Sequence, residues 1–153
     1  MARRPAAAGI LLAIALISAG CAGGAKPAPT TPTSLPGTSW ELGLQGGTAP
    51  AARTLPNLTF AADGTASGFT GCQPFAAKFT STGTTLSITD IVLTPTTQEC
   101  APSTKTTADA FVAALGGVTG WRVETVMPTQ GVEALQPVKL MLDGATPLVF
   151  TLQ

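Results

Sequence analysis

The chain has 153 residues, eight Lys and Arg against eight Asp and Glu, and neither His nor Tyr. Charged residues make up 10% of it, against roughly a quarter in an average globular domain. No basic surplus is available to neutralise phosphates, so nucleic acid is not an expected partner. Without His the chain lacks the commonest general base, near-neutral proton switch and metal ligand. No catalytic residue, metal site or cofactor is therefore assigned, and the length fits one domain.

Residues 1–20 read as an export signal. Arg3 and Arg4 precede an apolar run from Ala6 to Ala19, which small residues close ahead of Cys21. As a helix this run would reach only about 21 Å, short of the roughly 30 Å hydrocarbon core, so a permanent membrane span is the weaker reading. Leu16-Ile17-Ser18-Ala19-Gly20-Cys21 resembles the lipobox of bacterial lipoproteins. That resemblance implies that Cys21 is acylated and becomes the mature N-terminus; an ordinary signal peptide with an incidental Cys is the alternative. Beyond residue 20, six basic residues (Lys26, Arg53, Lys78, Lys105, Arg122, Lys139) face eight acidic ones and leave a net charge of −2. Membrane attachment is then expected from the lipid rather than from a basic patch.

Residues 21–36 hold Cys21 and a run of small residues, Pro and Thr, with Leu35 as the single large apolar side chain. Such a composition predicts a disordered, extended tether. From Gly37 the apolar period becomes two. Leu58-Thr59-Phe60 and Phe69 flank the turn signal Ala62-Asp63-Gly64-Thr65, and Phe75 to Phe79 runs into Ser81-Thr82-Gly83-Thr84. Leu86 to Ile91, Trp121 to Val126, Val138 to Leu142 and Leu148 to Phe150 continue the pattern. Between them, Thr107 to Leu115 places Ala108, Phe111, Val112 and Leu115 on one helical face, capped by Thr106 or Thr107, with Asp109 in the first turn and Gly116-Gly117 as the stop. About eight short antiparallel strands with one helix after the fifth result. Trp40, Phe60, Phe69, Phe79, Phe111 and Trp121 are the expected core anchors. Gly68 and Gly71 are expected at a close backbone or a bend.

With Cys21 assigned to the anchor, Cys72 and Cys100 remain. In an exported chain they most simply form one disulfide; a metal pair completed by carboxylates and a redox pair are the alternatives.

In order, Gly37-Thr38-Ser39-Trp40-Glu41-Leu42, Leu58-Thr59-Phe60-Ala61-Ala62-Asp63-Gly64, Ser67-Gly68-Phe69-Thr70-Gly71-Cys72, Leu93-Thr94-Pro95-Thr96-Thr97-Gln98-Glu99-Cys100 and Phe111-Val112-Ala113-Ala114-Leu115 resemble the META/HslJ-like family of bacterial lipoproteins. The similarity covers 37–153. It implies a mainly β fold, an open (cracked) antiparallel barrel with its helix against one side. The sequence departs from the family pattern at Gln73 and Pro74, where Asn and a small or basic residue are usual, and in a longer link over 127–137.

The functional expectation is a non-enzymatic, lipid-anchored envelope protein, an envelope-stress or protein-interaction module. It would offer Gln73-Pro74 or the 127–137 link to an envelope protein partner. The alternative is a carrier of a lipid or small apolar ligand, with Ala61, Ala76 and Ala113 as small inward positions leaving room for an acyl chain. An enzyme would have to rely on Ser and Lys, for which no Ser-x-x-Lys motif exists, or on carboxylates among Glu41, Glu99, Glu124 and Asp143.

Overall fold

The computed structural model describes residues 31–97, 99–125 and 137–153. The signal segment, Cys21, residues 22–30 of the tether, Val126 at the end of an expected strand and residues 127–136 of the late link lie outside the described residues. Eight strands and one helix follow in the order β1 (Thr38–Gln45), β2 (Asn57–Phe60), β3 (Thr65–Phe69), β4 (Pro74–Thr82), β5 (Thr85–Leu93), α1 (Pro102–Gly116), β6 (Val118–Thr125), β7 (Val138–Gly144) and β8 (Leu148–Leu152). Each strand pairs antiparallel with the next and β8 returns to β1, closing a barrel. The turn signals fall where expected: Gly64 (φ 85°) lies between β2 and β3, and Gly83 (φ 58°) between β4 and β5. The Asp63 carboxylate accepts hydrogen bonds from the Thr65 N–H and hydroxyl, which hold its pKa below the usual value.

The ring is weakest between β5 and β6, which share a single register pair, Thr85↔Gly120. The expected opening is confined to this seam. There α1 supplies Ala108, Phe111, Ala114 and Leu115 to the interior. The Phe111 ring lies 6.1 Å from that of Phe75 and 6.2 Å from that of Phe150, so the helix joins the core from one side of the ring to the other. Trp40, Leu42, Leu58, Phe60, Leu140, Leu142, Leu148 and Phe150 are fully buried, and the interior is filled by side chains, as in other small barrels.

Several features differ from the sequence expectation. Leu35, assigned to the tether, is 0% exposed. The Trp40 indole N–H donates to Thr38 Oγ1 (2.6 Å), which donates to the Leu35 carbonyl (2.6 Å), so Leu35 is held into the barrel end and the folded unit includes it. The helix starts at Pro102, five residues before Thr107, because Pro at the first position is preset for a helix. Neither Thr106 nor Thr107 caps it; their hydroxyls donate to the carbonyls of Pro102 and Ser103.

The small inward positions also change. Ala76 and Ala113 are exposed and Ala61 is half-buried, whereas Ala66, Ala77 and Ala114 are buried. In β5, strict alternation would send Asp90 into the core beside Ile88. A bulge there (Ala76↔Val92 but Lys78↔Thr89), with Asp90 at φ 53°, returns Asp90 to the outside. Its carboxylate meets Lys78 at 2.9 Å and raises the pKa of that ammonium. Finally, Phe69 and Trp121 are half-buried rather than central, though Trp121 still packs on the core.

The glycine expectation holds. A Cβ on Gly68 would lie 2.1 Å from the Asn57 carbonyl oxygen, and Gly71 has a φ of 90°. Cys72 and Cys100 form a disulfide across 28 residues.

Two outcomes follow for stability. Leu35→Ala should cost about 2–5 kcal/mol in denaturant unfolding, as for other leucines deleted from a core, whereas a tether residue would cost nothing. Replacing Cys72 and Cys100 together by Ser should lower stability by about 3.6 kcal/mol on the chain-entropy model, read as a lower unfolding midpoint.

Candidate functional site

Alternation of the strands defines two ends. The chain enters where β1 begins; the Thr31 hydroxyl is 2.9 Å from that of Thr125, at the close of β6. Odd-numbered strands run away from this entry end, since every neighbouring pair is antiparallel. The connections β1–β2, β3–β4 and β5–α1 therefore gather at the far end. The second carries Cys72 and the third Cys100, so the disulfide ties two far-end loops together.

Local chemistry shapes these loops. The Thr70 hydroxyl, buried, accepts from the backbone N–H of Cys72 (3.3 Å) and Gln73 (3.0 Å), folding the loop into a tight turn. Asn57 Oδ1 accepts from the Phe69 N–H at 3.0 Å and fixes where β3 ends. Gly71 then turns the chain toward Ala52, 3.2 Å from where its own Cβ would stand.

A cleft lies on either side of the disulfide, and the two share Cys72, Thr96, Glu99 and Cys100. The first, about 330 Å³, runs between the β5 end and the helix, with Gln73, Leu93, Lys105, Asp109 and Val112 among its walls. The second, about 500 Å³, is bounded by Arg53, Phe69, Pro74, Glu99, Ala101 and Thr104. Beside them Val92 is 63% and Leu93 36% exposed, the apolar outer skin of the same end. Lys105 and Asp109 pair with each other at 2.8 Å, one helical turn apart. Among the described residues neither Arg53 nor Glu99 takes part in an ion pair.

Gln73 and Pro74 thus stand at the site, one in each cleft. Of the 127–137 link only Pro137 is described, so its place is not assigned. The carboxylates considered from the sequence do not converge. Glu124 and Asp143 both bind Arg122 on the outer wall and raise its pKa, Glu41 is exposed on β1, and Glu99 alone borders a cleft. Arg53 and Thr104 were not singled out in the sequence. Arg53 sits in an Ala- and Pro-rich connection with no motif, and only its distance in space from Cys72, not along the chain, makes it relevant.

A META domain model matches residues 33–147. A protein from Burkholderia xenovorans, with a structure determined by NMR, is similar at 26% identity and a TM-score of 0.55, over 78% of this chain and 83% of that one. A second NMR structure is similar at 18% identity and a TM-score of 0.52, over 77% and 91%, a likeness of fold. The search of curated proteins gave no match. Because the family model spans the barrel from the plug at Leu35 to the turn before β8, with both bridged cysteines inside it, the chain belongs to the META domain family.

Proposed function

We propose that this is a lipid-anchored, non-enzymatic envelope protein whose barrel presents its far end to a protein partner. The observation that carries the reading is topological. The chain that would lead back to acylated Cys21 enters at one end, while Gln73, Pro74, the disulfide and both clefts lie at the other. A domain hung from a membrane in this way keeps that face free for contact.

The lipid-carrier alternative draws less support. Its small inward positions Ala76 and Ala113 are exposed, and twenty of the described residues form one continuous buried core. An acyl chain would have to displace well-packed side chains, at a cost typical of overpacking or cavity formation.

The test combines anchoring and contact. A photo-reactive residue at Gln73 should cross-link a specific envelope protein in living cells, whereas one at Thr80, exposed on the barrel wall, should not. Cys21→Ala should remove the acylated N-terminal peptide that mass spectrometry finds in the unchanged protein. Equal adducts from Gln73 and Thr80, or an N-terminal peptide without acylation in the unchanged protein, would contradict the reading.

A further inference from the structure

The larger far-end cleft carries an unused pair of opposite charges. Arg53 reaches it from the β1–β2 connection and Glu99 from the β5–α1 connection. Both are exposed. Elsewhere several opposite charges meet directly: Lys78 with Asp90, Lys105 with Asp109, and Arg122 with Glu124 and Asp143. Arg53 and Glu99 border one cleft without bonding each other. The half-buried Phe69 and exposed Pro74, with Ala101, supply apolar wall to the same space.

From this geometry we infer that the Arg53–Glu99 cleft is a binding site for a small zwitterion of the amino-acid or short-peptide class, carboxylate toward Arg53 and ammonium toward Glu99. A guanidinium presents a planar fork of donors that matches a carboxylate, and a carboxylate accepts readily from an ammonium. A simple anion, phosphate included, would meet Glu99 as a repulsive neighbour. A simple cation would meet Arg53. A ligand carrying both signs satisfies each, and the space of about 500 Å³ lies within the roughly 300–1,000 Å³ of small-molecule sites. The Phe69 and Pro74 walls would contact a short aliphatic side chain between the two charged ends.

The inference deepens the far-end reading and rests on it: this would be the part of the docking face that recognises a peptide's charged groups. The probe is alanyl-alanine at neutral pH, followed by amide NMR shifts of Gly71, Ala101 and Thr104. N-acetyl-alanyl-alanine, lacking the ammonium, and alanyl-alaninamide, lacking the carboxylate, serve as single-charge controls.

The dipeptide should shift these three amides saturably, and each control should bind about fivefold more weakly, the upper range for an exposed ion pair. Arg53→Gln and Glu99→Gln should each cause the same loss. Arg53→Glu combined with Glu99→Arg should regain binding relative to either single reversal, since the zwitterion can turn round. Both positions are exposed, so the fold is retained and unfolding midpoints check this. Absent shifts, equal shifts from all three probes, or binding unaltered by Arg53→Gln and Glu99→Gln would overturn the inference. If the cross-link at Gln73 persists while the dipeptide fails, the zwitterion site alone falls; dipeptide binding without any cross-link sinks the partner-docking reading and leaves the site standing.

Discussion

Most of this structure follows from one shortfall in pairing. Strands β5 and β6 meet only at Thr85↔Gly120, with one further bond from the Trp121 N–H to the Thr84 carbonyl. A sheet that wraps almost completely but lacks a ladder at one seam exposes backbone groups and core at that place. The chain answers by spending its longest described connection there. Helix α1 leaves the end of β5, buries Phe111 and Leu115 against the core, and delivers the chain to β6.

That solution explains why the far end is elaborate. A helix inserted between two strands needs loops to reach it, and the loop before Pro102 has little apolar content of its own. The Cys72–Cys100 bridge ties this loop to the β3–β4 turn, which Thr70 holds in shape. Surfaces brought together by a cross-link and a helix end, rather than by a ladder, do not pack flush, and the two clefts lie along that junction. The entry end is simpler, because Leu35 plugs it and the Trp40–Thr38–Leu35 hydrogen bonds hold the plug. A filled interior leaves recognition to the rims.

Much of the architecture was legible residue by residue. Asp63-Gly64 and Ser81-Thr82-Gly83 announced their turns because only a few residue types accept the backbone angles required there. Alternation announced the strands, and Phe111 and Leu115 announced the helix. The misreadings differ in cause. Leu35 looked like tether because its neighbours are Pro, Thr and Ser, yet its burial depends on Phe60, to whose carbonyl Gly37 donates, and on Trp40, all further along the chain. In β5 the bulge, set by pairing with β4, is what turns Asp90 outward from the phase of Leu86 and Ile88. An inward Ala76 ran against the chain's own alternation, since Phe75 and Phe79 already put it on the outer face.

Local pattern, then, was enough for the number and kind of elements, the helix after the fifth strand and the family, since periodicity and turn chemistry act over a few residues. The cysteines narrowed to one pair by counting. What only three dimensions decided was neighbourhood: which end each loop occupies, how little β5 and β6 overlap, and that Arg53 and Glu99 border one space though 46 residues separate them. Loops are placed by the register of the strands they join, and that register is set by side-chain packing across the whole barrel rather than by the loops' own residues.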